Sequence, residues 1–151
     1  MRQTDEAPGK DPTMRLALAT LALIGLASAA QPLTPKTYPE ITLKGGAGQV
    51  IPDTGVTLLL TGITDQRCPP DVDCFWEGMI RAEITVLTRT QKPTRIILCN
   101  QCDDGEGLVT VAGLTIGLVG LAPSTEALAK LGRAPVLTDY ELTVNYGPEE
   151  G

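Results

Sequence analysis

Four cysteines are the residues of this chain best able to do chemistry, and they fall into two close pairs, Cys68 with Cys74 and Cys99 with Cys102. Thiols so spaced can close disulfides, hold a tetrahedral metal ion as thiolates, or exchange electrons with another dithiol. Cys99-Asn100-Gln101-Cys102 has the C-x-x-C spacing of redox sites. Redox versions open a helix whose N-terminus lowers the thiol pKa, whereas this pair follows the strand-like run Arg95 to Leu98 and precedes Asp103, Asp104 and Glu106, acids that raise it. The gap between Cys68 and Cys74 is wider than the roughly two to four residues usual between paired zinc ligands. Structural disulfides are therefore the first expectation for all four. Four cysteines permit three connectivities, and the sequence does not choose among them. Local pairing is expected because each pair lies within one turn-like segment, although crossed loops of roughly 30 residues would contribute about 3 to 4 kcal/mol against about 2 for each short one.

The chain contains no histidine, which removes imidazole-based hydrolase triads, imidazole acid-base catalysis and His-ligated metals. Carboxylates are the remaining chemical option. Asp71 and Asp73, and Asp103, Asp104 and Glu106, could meet a hard cation such as calcium, but neither stretch follows the EF-hand pattern, and solvated acidic turns are the simpler reading. A paired-carboxylate glycosidase would need a sugar cleft, for which a small domain with a single Trp offers little. No catalytic constellation, cofactor site or metal site is expected.

The densest segment runs from Asp65 through Arg67, Cys68, Pro69, Pro70, Asp71, Val72, Asp73, Cys74, Phe75, Trp76 and Glu77 to Gly78. Asp65 and Arg67 are placed to form a charge-assisted hydrogen bond that fixes the loop. Trp76 invites two readings: it plugs the end of the fold beside a disulfide, or, with Phe75 and Arg67, it belongs to an exposed recognition loop. The possible binding loop is thus Asp65, Arg67, Phe75 and Trp76.

These residues need a scaffold, and composition and periodicity point to strands. The 16 Gly and 12 Pro, against one Phe and one Trp, describe many turns around an aliphatic core. In Met79 to Arg89, Ile80, Ala82, Ile84 and Val86 alternate with Arg81, Glu83 and Thr85, as in a half-buried strand. Tyr140, Leu142, Val144 and Tyr146 alternate likewise with polar residues. Val56 to Thr64, Thr94 to Cys99, Leu108 to Ala112 and Leu114 to Leu121 are apolar on both faces, as central strands would be. One short connector helix is expected over Thr125 to Leu131, capped by Ser124 and ended by Gly132. The fold class expected is all-β, a single antiparallel β-sandwich of about seven short strands over residues 41–147, with a tail at 148–151.

Ahead of this domain, Met14-Arg15, the apolar run Leu16 to Ala27 and the small residues Ala27-Ser28-Ala29 read as a signal peptide within residues 1–30, cleaved after Ala29 or Ala30. Met14 makes a better start for it than the acidic stretch from Met1 to Thr13. The run is shorter than the roughly 20 residues a spanning helix needs, so no stable membrane insertion is expected after cleavage. Residues 31–40 read as an extended leader with three prolines. A net charge of -6 makes nucleic acid an unsuitable partner.

The segment matches Asp65, Arg67, Cys68, Pro69, Cys74, Trp76 and Gly78 of a pattern close to D-S-R-C-P-x-x-x-x-C-x-W-x-G, with Gln66 in place of the common serine. It resembles the cysteine loop of a family of small exported bacterial domains, many of them lipoprotein-like. The resemblance runs more weakly from Gly48-Gln49 to Asp139-Tyr140. It implies a β-sandwich-like fold and a Cys68 to Cys74 bridge, and no activity. The second cysteine pair and the lack of a lipid-acceptor cysteine depart from that family.

The resulting expectation is a non-enzymatic binding or structural module of the cell envelope, periplasmic or secreted, meeting an envelope or extracellular protein. The alternative is a thiol-disulfide or thiol-metal protein using Cys99 and Cys102.

Overall fold

The computed structural model describes residues 36–76, 78–102 and 106–149, so the segment read as a signal peptide and most of the expected leader lie outside the described residues. Alternation of aliphatic and polar residues produces eight strands among them: β1 Glu40–Lys44, β2 Gly48–Ile51, β3 Val56–Arg67, β4 Gly78–Leu87, β5 Thr94–Asn100, β6 Leu108–Val111, β7 Leu114–Ala122 and β8 Glu141–Pro148. They form two four-stranded antiparallel sheets, ordered β1-β8-β7-β6 and β2-β3-β4-β5. The sandwich expected from the sequence is the observed fold, with β1 and β2 both present before β3.

The core lies between the inner faces. Leu43, Ile116, Leu142 and Val144 of the first sheet meet Leu58, Leu60, Ile84 and Leu98 of the second, all fully buried. Each such side chain contributes about 1.5 to 3 kcal/mol, so the aliphatic inventory suffices without core Phe or Trp. β4 alternates as its sequence requires, with Ile80, Ala82, Ile84 and Val86 inward.

The sheets are joined at both edges. β1 turns into β2 through Gly45-Gly46, where a Cβ on Gly45 would collide with the Leu137 carbonyl, so only glycine permits the corner. At the opposite edge the Glu106 carbonyl accepts from Cys99 N–H at 2.9 Å, and the next carbonyl, of Gly107, accepts from Leu118 N–H at 2.8 Å. Consecutive residues thereby bond to strands of opposite sheets, covering part of the β5 edge.

The connector is one helical turn, α1 Thr125–Ala129, two residues shorter at its end than expected. Ser124 caps it by accepting from Ala127 N–H at 3.3 Å, and Gly132 takes a φ of 67° in the exit. A 3₁₀ turn, Leu137–Asp139, leads into β8.

Candidate functional site

Two bulges determine what the open end of the sandwich contains. In β3 the register shifts between Leu60 and Gly62; in β7 it shifts between Leu118 and Gly120. Each extra residue reverses the parity of the strand beyond it. Leu58 and Leu60 point inward before the first bulge, and afterwards Ile63, Asp65 and Arg67 hold the inward positions, opposite Ala82, Ile80 and Gly78. The second bulge leaves Val119 outside at 46% exposure and pairs Leu121 with the core residue Leu142.

Asp65 and Arg67 therefore face across the sandwich. The Arg67 Nε and Nη2 groups each donate to the Asp65 carboxylate at 2.8 Å, and the Arg67 backbone N–H donates to it at 3.1 Å. Nη1 also donates to the Leu121 carbonyl, and Nη2 to the Pro123 carbonyl, both at 2.8 Å. The pair clasps the end of β3 to the end of β7. With side-chain exposures of 17% for Arg67 and 8% for Asp65, it is well shielded. Burial opposes ionisation of Asp65, but the hydrogen bonds and charge of Arg67, helped by Tyr140, outweigh it and lower its pKa. Bonding to Asp65 raises the Arg67 pKa. Burial, then the Asp65 charge, raises that of Tyr140. An ionised carboxylate held this way is a poor proton donor or acceptor near neutrality.

From this clasp the chain leaves as a loop closed by the Cys68–Cys74 disulfide, with Cα atoms 6.0 Å apart. Val72 N–H donates to the Pro69 carbonyl at 3.3 Å, tightening the turn. The loop returns at Gly78, which adopts a φ of 86° and whose absent Cβ would collide with the Gln66 carbonyl and Arg67 backbone. That close return explains the glycine at the end of the motif. Trp76 does not plug the sandwich. It is 54% exposed, Phe75 is fully exposed, and Val72 is 55% exposed. The structure divides the four loop residues singled out from the sequence: Asp65 and Arg67 hold the fold together, while Phe75 and Trp76 project outward.

Beside the loop lies an open cleft of about 370 Å³, lined by Pro69 and Pro70 of the loop together with Leu128, Ala129, Pro135 and Tyr140. Arg133 at its rim makes a two-pronged bond to Asp139, at 2.7 and 2.8 Å. The Arg133 bond, with a further one from Val136 N–H, holds the Asp139 pKa at about 2. Sequence reasoning missed the cleft because residues from separated segments meet only in the fold, and it passed over Val72 and the Arg133–Asp139 pair although both are local.

The second pair is also a disulfide, Cys99–Cys102, with Cα atoms 5.8 Å apart. Cys99 is a strand residue, 2% exposed and opposite Arg81 on β4. Gln101 between the cysteines has a φ of 61°, and Asn100 accepts from Ile80 N–H through its side chain at 2.6 Å. Asp103 and Asp104, invoked above as thiol-perturbing acids, lie outside the described residues. No group of three or more metal-ligating side chains occurs among the described residues.

Fold and site together define an antiparallel β-sandwich stapled by two disulfides, with an aromatic pair projecting at one end. Comparison with protein-family models, curated proteins and solved structures finds no match for the chain. Disulfides point to an oxidising, non-cytoplasmic environment. No helix among the described residues is long and apolar enough to cross a membrane.

Proposed function

We propose that the protein is an exported, non-enzymatic binding module of the cell envelope, periplasmic or secreted, and that the Cys68–Cys74 loop is its recognition element. The observation that carries this reading is the placement of the chain's single Phe and single Trp, adjacent and exposed, immediately after Cys74 on the segment that returns from the disulfide-closed loop to β4. An aliphatic core leaves both aromatics unused for folding, and rigid exposed aromatics are the side chains best suited to anchor an interface. The clasp at Asp65 and Arg67 and the disulfide ending at Cys74 restrict the chain on which the two aromatics sit, which lowers the entropy lost on binding. The resemblance to small exported domains supports the same reading. Thiol exchange at Cys99 is disfavoured by the burial of that sulfur's residue.

The test compares envelope proteins retained by the immobilised mature domain and by a Phe75→Ala/Trp76→Ala variant of equal melting temperature. Specific retention should fall by more than about thirtyfold in the variant, the effect of losing one good hot spot. A partner held equally by both proteins would overturn the assignment of the loop.

A further inference from the structure

We infer that the loop and the neighbouring cleft form one composite docking surface for a protein that presents an apolar pocket ringed by lysine and arginine. This inference rests on the function proposed above and specifies its partner.

The shape argument starts from Val72, Phe75 and Trp76, three exposed apolar side chains within five residues at the tip and exit of the loop, which make an apolar knob on the surface. A knob requires a concave counterpart. Pro69 and Pro70 belong to the same loop and line the cleft, so a protein seated on the knob also faces about 370 Å³ of largely apolar space. One apolar side chain of the partner can enter there. The interface would thus be reciprocal, with anchors supplied by both proteins.

Charge selects among the possible occupants. Both arginines of the cleft are already committed, Arg67 to Asp65 and two backbone carbonyls, and Arg133 to Asp139 and the Ala134 carbonyl. Neither is available to draw in an anion. Asp71 and Asp73 flank Val72 and make no ion pair among the described residues, while exposed Glu126 on α1 has Lys130 and Arg67 near it to offset its charge. The charges directly beside Val72 are therefore acidic, as is the whole chain at a net charge of -6. Anionic lipid would be repelled, and a second copy would bring the same acids together. A basic rim around an apolar pocket complements both features.

The experiment places a photo-crosslinking phenylalanine derivative at Val72 of the full chain in the cell that makes it. Crosslinks are identified by mass and compared across variants of the same tagged chain. The expected product is a heterologous protein contacted at a basic-rimmed site. Its yield should fall about fivefold with Asp71→Asn/Asp73→Asn, in keeping with two rim charges. Ala129→Lys at the cleft wall should lower it comparably, while Ala129→Glu should leave it unchanged or raise it. The two Ala129 variants differ in charge sign at one exposed position, so a folding defect would affect both alike.

Crosslinking to lipid, to a second copy, or to a protein indifferent to all three charge variants would overturn the inference. If Phe75→Ala/Trp76→Ala abolishes a crosslink that the charge variants leave intact, only the partner's character is wrong. If the crosslink is absent, or survives loss of both aromatics, the binding-loop reading falls with it.

Discussion

The two disulfides close at the same end of the β2-β3-β4-β5 sheet, since β3 and β5 run in the same direction, yet their surroundings are opposite. Cys68–Cys74 closes a loop that leaves the sheet, and Phe75 and Trp76 stand exposed immediately after it. Cys99–Cys102 begins on a buried strand residue and holds the chain where it crosses to the other sheet. Spacing alone made the C-x-x-C pair look the more chemical of the two. Burial reverses that order: the pair with redox spacing begins on a buried strand residue, and the wider pair lies in an exposed loop.

The contrast depends most on Arg67, from which the outward loop hangs. Arg67→Met would leave the Asp65 carboxylate shielded and unpaired and the Leu121 and Pro123 carbonyls without their donor. Chemical denaturation at neutral pH should show a loss of about 3 to 4 kcal/mol, the cost of breaking a largely buried ion pair from one side. The pH dependence carries a sign. Asp65 in the wild type has a pKa held below the ordinary value of an aspartate, so its contribution to stability is present above that ordinary value and is lost as pH falls through the folded pKa. In the variant, burial without Arg67 raises the pKa, so protonation favours the folded state and the deficit should shrink as pH falls toward about 4. A deficit that stays constant with pH would mean that the clasp acts by packing and not by charge.

The disulfides themselves give the next largest effects. Cys99→Ser/Cys102→Ser should cost about 2 to 3 kcal/mol, the short-loop entropy plus a hydroxyl placed in a buried strand position. Cys68→Ser/Cys74→Ser should cost about 2 kcal/mol or less, from loop entropy alone. Partner binding should divide the other way, surviving the first replacement and weakening in the second. If both replacements reduced stability and binding alike, the division of labour between the staples would be wrong.

How much of this was legible in the sequence follows from period and parity. Strands with an uninterrupted period of two, such as β4 and β8, could be read residue by residue. β2 could not, because Ile51 is its only buried residue and the alternation has nothing to register. The bulges in β3 and β7 were also not read, although each ends at a strand-interior glycine, Gly62 and Gly120, and each reverses every later side chain. The expected Asp65 to Arg67 bond is present, but its reach to Leu121 and Pro123 depends on that reversal. Arg67 was also read as a partner contact, and the structure commits its donors internally. Trp76 failed as an end plug because the inward positions near that end belong to Asp65, Arg67 and Tyr140. A local motif cannot show which side chains already fill the space beneath it.

The smallest expected stability effect is the most exacting test of the contrast. Phe75→Ala/Trp76→Ala should change unfolding free energy by less than about 0.5 kcal/mol, because exposed side chains away from caps and ion pairs add little to folding. Trp76 is the single Trp, so tryptophan fluorescence reports on this loop alone. At 54% exposure its emission in the native protein should already be solvent-like and open to a neutral quencher. Unfolding should then shift the emission only slightly, and stability must be followed by circular dichroism. A blue-shifted, quencher-protected native emission together with a loss of about 3 kcal/mol or more would mark Trp76 as core, since large aromatic truncations cost that much only when buried. The knob would then be part of the fold, and the two staples would serve the same purpose.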